Sequence, residues 1–256
     1  MSFSEKDLVE ILFPYVRSVF RAKNQSTPEF IGSGILLNGN QGVYLITAAH
    51  VMDHFKEEIY PLFLDCGTDG RLVQISGYES CSYTEDFVKR SDDDFDISIV
   101  RIGNEMLTDL NFECIVGIDK IDVSIDHDPS LGYFCVGIPS KKGNKSIDEK
   151  SEIINPEPYG ICGSEVDEII YSKVGVSKST HLAISFNAKK AYSTDGTRFA
   201  APALNGLSGA PIWGLRKVSD GQVKAVVVAI LIEYHQRDIK AVLGTRASEI
   251  FRGTLL

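Results

Sequence analysis

Apolar residues occur in short runs along this chain, and the first run differs in spacing from the rest. Leu8, Ile11 and Leu12 recur at helical spacing, which predicts a short amphipathic helix that ends near Pro14. From residue 16 onward, apolar and β-branched runs are separated by Gly, Asn, Asp and Pro. This second pattern is typical of antiparallel β-strands.

The strand-like runs form two groups, separated by a polar stretch near residues 119–128. The first group predicts strands at residues 16–21, 34–37, 43–47, 59–64, 72–78 and 97–102. The second group predicts strands at residues 131–138, 168–172, 181–185, 210–213 and 224–233. One or two helical turns are predicted at residues 246–251. The pattern therefore predicts two β-lobes joined by a linker.

Composition narrows the classes of function. The 256 residues are 43% hydrophobic and 24% charged, as in ordinary globular proteins. The net charge of -9, without a Lys/Arg cluster, argues against a nucleic-acid partner. The longest apolar stretch, residues 225–232, is too short to span a bilayer, and no basic segment precedes an apolar one at the N-terminus. We expect a chain that is neither exported nor membrane-anchored.

The cysteines also indicate that the protein stays inside the cell. The five cysteines are an odd number and include no C-x-x-C pair, which favours small buried thiols over disulfides or metal ligands. A reducing, cytoplasmic location is the expectation.

His50 is the first candidate for chemistry, because it follows the strand predicted at 43–47 after two alanines. His50 and His54 have the i, i+4 spacing of two zinc ligands on one helical face, and Glu57 could add a third. However, Val51 stands where zinc peptidases with this spacing have a glutamate, and no cysteine lies nearby. We therefore expect no metal and no cofactor.

Asp96 is the candidate that could orient an imidazole. It directly precedes the apolar strand predicted at 97–102. A carboxylate beside a buried strand needs a hydrogen-bonded partner, because burial without one is costly, and an imidazole N–H is suitable. We expect the preceding Asp92, Asp93 and Asp94 to form a solvated acidic turn.

Ser208 is the candidate nucleophile. It lies between Gly206 and Gly209, and the preceding residues 200–204 are poor in bulk and charge. Glycines beside a nucleophile permit a tight turn that directs backbone N–H groups at one point. In that geometry the N–H groups of Gly206 and Ser208 would form an oxyanion hole. Taken alone, such a turn also occurs in ordinary loops.

The order of these parts along the chain is His, Asp, Ser. α/β-hydrolases have the order Ser, acid, His, and subtilisins have Asp, His, Ser. An α/β-hydrolase would also need a glycine in place of Ala210, a downstream histidine, where only His235 is present, and alternating helices that the pattern lacks. The motifs therefore fit the order His, Asp, Ser best.

Residues 47–50 (Thr-Ala-Ala-His), 96–99 (Asp-Ile-Ser-Ile) and 206–211 (Gly-Leu-Ser-Gly-Ala-Pro) closely resemble the three signature regions of chymotrypsin-like (trypsin-like) serine peptidases. The resemblance runs from about residue 16 to residue 234. It implies an all-β fold of two antiparallel six-stranded β-barrels, a chymotrypsin-like double barrel with the active site between the barrels. The expected parts are a helix at 1–15, the first barrel at 16–118, a linker at 119–127, and the second barrel with a short C-terminal helix at 128–256.

The resemblance also implies roles for individual residues. His50 corresponds to the general base, Asp96 to the residue that orients it, and Ser208 to the acyl-forming nucleophile. The walls of the primary specificity pocket are expected at Pro202, Ala203, Ile232, Glu233 and Tyr234. No carboxylate stands at the expected pocket base, so a preference for small or apolar side chains is expected. Tyr234 replaces a frequent glycine and is expected to narrow or close the pocket.

Three positions depart from the pattern of secreted members. Leu207 stands where those proteins have an aspartate that pairs with a new N-terminus after activation. Val51 replaces a usual half-cystine, and Ala210 replaces the second glycine. The chain thus resembles an intracellular, bacterial-type branch that does not use this activation ion pair.

The sequence therefore predicts a serine endopeptidase that acts through an acyl-enzyme on a protein or peptide substrate. Nucleic acid and membrane are not expected as partners, whereas a dedicated protein partner or an activating signal is a further hypothesis. Two alternatives stay open. One is a catalytically latent recognition or regulatory module on a peptidase fold, and the other is an esterase that uses the same triad.

Overall fold

The computed structural model describes residues 5–22, 28–57, 61–67, 70–75, 80–82, 93–124, 132–145, 147–148, 153–188, 191–192, 198–199, 201–217, 223–235 and 239–251. The α-helices in these ranges are α1 (Glu5–Leu12), α2 (Ala49–Glu57), α3 (Asn104–Leu107), α4 (Ser140–Lys145), α5 (Glu168–Val174) and α6 (Ala247–Ile250). Short 3-10 helices occur at Phe13–Tyr15, Phe112–Cys114 and Ile118–Lys120. No helix within the described ranges has both the length and the apolar character needed to cross a membrane.

The first group of strands comprises β1 (Val16–Ala22), β2 (Pro28–Gly39), β3 (Gly42–Ala48), β4 (Leu62–Asp65), β5 (Leu72–Gln74), β6 (Ser80–Ser82), β7 (Ile97–Arg101) and β8 (Val116–Gly117). The second group comprises β9 (Tyr133–Gly137), β10 (Ile147–Asp148), β11 (Ile153–Ile154), β12 (Tyr159–Gly163), β13 (His181–Ser185), β14 (Ala191–Tyr192), β15 (Arg198–Phe199), β16 (Pro211–Lys217), β17 (Val223–His235) and β18 (Ala241–Arg246). The predicted all-β architecture, with short helices at both ends of the chain, is confirmed.

The strands form two principal sheets. The first has the order β5-β4-β1-β2-β3-β7-β6, and β8 pairs with β2. The second has the order β12-β9-β16-β17-β18-β13, while β10–β11 and β14–β15 form separate two-stranded sheets. The second sheet has the six strands expected, whereas the first has eight. The pairing of β1 with β2 stops at Ile35, and β8 occupies the same edge further along, beside Leu37 and Asn38.

Buried apolar side chains connect the two sheets. The larger cluster includes Leu45 from β3 and Trp213 from β16, which are at most 1% exposed. The Tyr15 ring lies 5.7 Å from the Trp213 ring, so the segment after α1 packs against the second sheet. Ile121 forms a parallel bridge with Val227 of β17. The two sheets therefore pack against each other around a common core.

The strand predicted at residues 168–172 is wrong, because this segment is the helix α5. Side chains two apart differ in burial as on a helix: Ile169 is 63% exposed and Tyr171 only 2%. Glu168 stands in the first turn, and Gly175 ends the helix with a left-handed φ of 88°. The apolar run is too short to be classified by periodicity alone. The glycine that follows it, Gly175, is the residue that indicates a helix, because glycine commonly ends helices in the left-handed conformation.

A buried ion pair fastens β1 to β4. Arg17 and Asp65 have side chains 2% and 7% exposed, with 2.8 Å between Nη1 and Oδ1. The Asp65 carboxylate also accepts the backbone N–H groups of Ser18 and Gly67. Another guanidinium N–H donates to the Pro14 carbonyl. Each charge depends on the other, because removal of one partner leaves an uncompensated buried ion.

We expect Asp65→Ala to lower the free energy of unfolding by about 3 to 5 kcal/mol, since Arg17 would stay buried without a counter-charge. The control Glu29→Ala breaks the ion pair with Arg21, whose side chains are 20% and 27% exposed. It should cost about 1 kcal/mol or less. Urea unfolding followed by the fluorescence of the single tryptophan measures both losses. Equal losses would contradict a special role for the buried pair.

Candidate active site

The candidate active site is a cleft of about 720 Å³. Residues from both principal sheets line it. His50, Asp96 and Ser208, which the sequence pattern singles out, all lie in its lining. Gly206, the other residue assigned to the oxyanion hole, lies there too.

Strand pairing brings His50 and Asp96 together. Ala48 at the end of β3 pairs with Ile97 at the start of β7, so the residues after Ala48 lie beside those before Ile97. His50 Nδ1 is 2.5 Å from Asp96 Oδ2. The His50 side chain is 42% exposed and that of Asp96 is 16% exposed. The imidazole thus reaches the cleft while its partner carboxylate is largely shielded.

Asp96 also caps helix α2. Its carbonyl accepts the Ala49 N–H at 2.7 Å, and its Oδ1 accepts the His50 N–H at 2.9 Å. The first backbone N–H groups of a helix need such acceptors, and a negative charge is favourable at that end. Asp96 has a left-handed φ of 46°, which costs a non-glycine residue about 1 to 2 kcal/mol. The cap and the contact with His50 offset this cost.

Asp93 holds the backbone of this turn from within. It is 6% exposed, and its Oδ1 accepts the N–H groups of Phe95 at 3.2 Å and Asp96 at 3.1 Å. The predicted solvated acidic turn is therefore wrong for Asp93, while Asp94 is exposed and Asp92 lies outside the described residues. The sequence does contain a signal for this role. Asp93 binds the N–H groups two and three residues further along the chain, which is the pattern of an Asx turn.

The serine loop, residues 204–210, is attached to both sheets. The Ser33 N–H of β2 donates to the Ser208 carbonyl at 2.9 Å, and the Ser33 hydroxyl donates to the Gly206 carbonyl at 2.9 Å. From the other side, the Gly209 N–H donates to the Leu231 carbonyl of β17 at 2.7 Å. The backbone beside Ser208 is therefore fixed between β2 and β17. Ser33 lies in none of the three motifs, so the sequence did not predict this role.

The Ser208 hydroxyl is directed to a backbone group. Its Oγ lies 3.4 Å from the Ile232 carbonyl, a long hydrogen bond. Within the described residues no hydrogen bond joins Ser208 to His50. The structure therefore brings the candidate nucleophile and base to one cleft without a hydrogen bond between them.

The backbone N–H groups of Gly206 and Ser208 are among those of the serine loop that have no acceptor within the described chain. Gly206 has a left-handed φ of 95°. A Cβ there would lie 2.6 Å from Ser140 Oγ and 2.6 Å from Phe30 Cε1. Glycine therefore meets both a conformational and a packing requirement at this turn.

Leu207 lies between these two donors and is fully buried, at 0% exposure. It packs in a second apolar cluster that includes Ala210 and Ile212. A Cβ at Gly137 would lie 3.0 Å from the Leu207 Cγ, so β9 approaches the loop closely. Apolar burial, rather than a charged side chain, holds this position of the loop.

The expected pocket residues divide into two sets. Ile232, Glu233 and Tyr234 line the cleft, whereas Pro202 and Ala203 are not among the residues that line it. The Tyr234 ring packs edge-on against Phe186, with 5.8 Å between centroids. Burial raises the pKa of the Tyr234 phenol, whose hydroxyl contacts the backbone of residue 188. This ring is therefore held in place beside the cleft.

The charged groups that line the cleft are acidic or imidazoles. They include Asp94 and Glu233, and among the described residues of the lining there is no Lys or Arg. The Glu233 carboxylate lies 3.2 Å from His235 Nε2, an ion-pair distance without an aligned hydrogen bond. His235 holds the pKa of Glu233 below its ordinary value, and His50 adds a smaller effect in the same direction. The described carboxylates of the cleft therefore favour a positive charge on the imidazole.

The described part of the chain contains no group of three or more His, Cys, Asp or Glu side chains arranged to hold a metal ion. The side chains of His54 and Glu57, which the zinc alternative would need, lie outside the described residues.

Comparisons with known proteins bear on the fold. No protein-family model matches the sequence, and no curated protein matches it. Among solved structures, neuropsin, a serine protease expressed in the limbic system of mouse brain, matches with a TM-score of 0.55 and 14% sequence identity. The match covers 93% of this chain and 91% of neuropsin.

The chain has a chymotrypsin-like double-barrel fold. At this identity the likeness shows the fold alone, and it is the fold of a trypsin-like serine protease. Activity must be argued from the site.

We expect Gly209→Ala to disrupt the serine loop. Gly209 has a φ of 89°, and a Cβ there would lie 1.8 Å from the Ser33 carbonyl oxygen and 2.3 Å from Thr47 Oγ1. Gly175 has nearly the same φ, 88°, with nothing within 4 Å of a Cβ, so Gly175→Ala isolates the conformational cost of about 1 to 2 kcal/mol. In thermal unfolding, the decrease in melting temperature should be several times larger for Gly209→Ala than for Gly175→Ala. Similar melting temperatures would disprove the packing constraint.

Proposed function

We propose that this protein is a serine endopeptidase, with Ser208 as nucleophile, His50 as general base and Asp96 as the residue that orients the base. The observation that carries this proposal is the 2.5 Å contact between His50 Nδ1 and Asp96 Oδ2 in a cleft that Ser208 also lines. The fold, which is that of a trypsin-like serine protease, supports it.

The contact with Asp96 selects the imidazole tautomer that catalysis needs. With Nδ1–H donated to the carboxylate, the lone pair of Nε2 is available to accept a proton. Ser208 Oγ then attacks the peptide carbonyl carbon while its proton passes to His50 Nε2. The imidazolium returns that proton to the leaving amine as the C–N bond breaks. Water, activated by the same base, hydrolyses the acyl-enzyme and regenerates Ser208.

The Ser208 side chain must rotate before it can react. Its present partner, the Ile232 carbonyl at 3.4 Å, is beyond the usual O–H···O distance and is easily given up. Catalytic hydrogen bonds are often long or misaligned without substrate and tighten in the Michaelis complex. The proposed rotation transfers the hydroxyl from a carbonyl to His50 Nε2.

The N–H groups of Gly206 and Ser208 are the proposed oxyanion hole. Both residues line the cleft, and neither N–H has an acceptor within the described chain. Donors that are fixed before the reaction stabilise the tetrahedral oxyanion, each by about 3 to 4 kcal/mol. The attachment of this loop to β2 and β17 supplies that rigidity.

The proposed substrate pocket accepts small or apolar side chains. Ile232, Glu233 and Tyr234 would form its walls, and the packing of Tyr234 against Phe186 would limit its depth. The substrate is a protein or peptide, and a dedicated partner or activating signal is part of the proposal.

We also propose a linker at residues 119–127 between barrels at 16–118 and 128–256. A cytoplasmic location and kinship with the intracellular, bacterial-type branch complete the proposal. The odd cysteine count and the thiols of Cys114 and Cys135 support the location, whereas Leu207 and Val51, which depart from the pattern of secreted members, support the kinship. The pKa of the Cys135 thiol is raised by burial, so it is expected to be unreactive.

A latent recognition module is the second candidate function. The observations that favour it are the Ser208 hydroxyl held on Ile232 and the Tyr234 ring beside the cleft. An esterase with the same triad would turn over activated esters but not peptides.

We expect a fluorophosphonate probe to label the wild-type protein at Ser208 and to leave Ser208→Ala unlabelled. His50→Ala should lower the rate of labelling by several orders of magnitude, since loss of the base in such a triad costs up to about 10⁶-fold in turnover. Asp96→Asn should lower turnover by about 10⁴-fold, because the imidazole would lose its partner for the correct tautomer. Intact-mass spectrometry measures labelling, and circular dichroism checks that each variant is folded.

A folded wild-type protein that stays unlabelled at high probe concentration would contradict the endopeptidase proposal and favour the latent module. Labelling with turnover of activated esters but of no peptide in a diverse library would favour the esterase.

We expect Tyr234→Ala to shift substrate preference toward larger side chains, because it removes the ring that limits the pocket. The kcat/KM ratio of phenylalanine over alanine at the cleaved position should rise about tenfold or more, as loss of one steric wall typically allows. Tyr159→Ala is a control, because Tyr159 does not line the cleft. An unchanged ratio in Tyr234→Ala would remove Tyr234 from the pocket.

A further inference from the structure

Two residues of the second sheet contact the turn that carries Asp96. His181 of β13 lies with its Nε2 2.8 Å from the Asp94 carbonyl, and the Thr245 hydroxyl of β18 donates to the Phe95 carbonyl at 2.5 Å. The Phe95 ring stacks on the His181 ring, with 5.8 Å between centroids and 17° between planes. Consecutive residues before Asp96 are thus held from the opposite sheet.

The two contacting residues form a single platform. His181 and Thr245 are directly paired across β13 and β18. Each is 1% exposed, so their positions are fixed by the surrounding packing. We call this pair the His181–Thr245 platform. Its contacts cross from one principal sheet to the other, next to the candidate active site.

Both ring nitrogens of His181 are engaged. Because a carbonyl can only accept, Nε2 must carry the proton in its contact with Asp94. Nδ1 lies 2.8 Å from the Thr180 hydroxyl. Burial lowers the pKa of His181, so the neutral imidazole is favoured, with Nδ1 as acceptor. The ring therefore has one defined orientation towards the turn.

The Asp96 turn depends on outside support. The carboxylate of Asp96 is hydrogen-bonded, within the described chain, only by the backbone N–H and the ring of His50. Its left-handed backbone is a conformation that persists only where the surroundings over-determine it. Asp93 supplies support from inside the turn, and the platform supplies it from outside.

We propose that the His181–Thr245 platform positions Asp96, and through Asp96 the imidazole of His50, so that the second sheet sets the geometry of the base on the first. His181 and Thr245 are positioning residues, since neither lines the cleft. This inference rests on the proposed function for its effect on rate, but the positioning of the His50–Asp96 pair is itself measurable without catalysis.

The test removes each donor while keeping the shape of the side chain. His181→Phe retains a ring for stacking on Phe95 but lacks the Nε2–H donor, and Thr245→Val lacks the hydroxyl. His181→Gln is the conservative rescue, because its amide N–H can donate to the Asp94 carbonyl. Tyr171→Phe is the matched control. It removes a buried hydroxyl that binds Glu165 and the Ala183 N–H on β13, without contacting the turn.

Two readouts are used. The first is the rate of fluorophosphonate labelling of Ser208. The second is the far-downfield proton resonance of a histidine N–H bound to a carboxylate, assigned to His50 by its absence from Asp96→Asn. We expect His181→Phe and Thr245→Val to slow labelling by between about 10-fold and 100-fold and to shift or broaden the resonance. His181→Gln should recover part of the rate, and Tyr171→Phe should leave both readouts unchanged.

Wild-type labelling rates and an unshifted resonance in Thr245→Val and His181→Phe would overturn the proposal and leave the platform a purely structural contact. If only Thr245→Val folds, the same result from that variant alone would overturn it. If the wild-type protein is not labelled but its resonance is present and changes in the two variants, the proposed function fails and the positioning role stands. Absence of the resonance from the wild-type protein would overturn the positioning role.

Discussion

The hydrogen bond from the Ser33 N–H to the Ser208 carbonyl, at 2.9 Å, joins the first sheet to the serine loop. The approach is possible only because Gly209 has no side chain, since a Cβ would lie 1.8 Å from the Ser33 carbonyl oxygen. That same carbonyl accepts the Thr47 hydroxyl at 2.6 Å, one residue before β3 ends. His50 follows Thr47 by three residues. This close backbone contact therefore fixes the distance between two segments, the one that carries His50 and the one that carries Ser208.

The acid is fixed by a different balance of energies. Asp96 is shielded, carries a charge and adopts a left-handed backbone, each of which is unfavourable alone. The favourable terms are the cap of α2, the contact with His50 and the support that Asp93 gives to the turn. Because hydrogen bonds to charged groups are worth about 1.5 to 3 kcal/mol each, two such bonds exceed the backbone cost. The contact with His50 thus helps to offset the backbone strain of Asp96, so acid and base stabilise each other's positions.

The sequence could predict residues whose chemistry is encoded locally. Motif order and β-rich texture were sufficient for the fold class, and strand pairing explains why Asp96 and His50, far apart in the chain, meet. The role of Asp93 was missed because composition alone does not separate a buried Asx turn from a solvated acidic run. Helix α5 was missed because its apolar run is too short for periodicity to decide. The contacts of Ser33, His181 and Thr245 could not be predicted, because they depend on how two sheets pack and no local pattern records that packing.

The position of the Ser208 hydroxyl separates an active from a latent protein less sharply than the pocket does. A hydrogen bond as long as 3.4 Å contributes little, and a change between staggered rotamers costs on the order of 1 kcal/mol or less. Such a free-energy difference would slow the reaction by no more than about tenfold, since 1.4 kcal/mol corresponds to a factor of ten. A truly latent cleft would therefore need an obstacle to substrate. The Tyr234 ring, packed on Phe186 beside the cleft, is the described group whose place fits that obstacle. For the proposed function, access to the pocket rather than the position of the Ser208 hydroxyl would decide between an active and a latent protein.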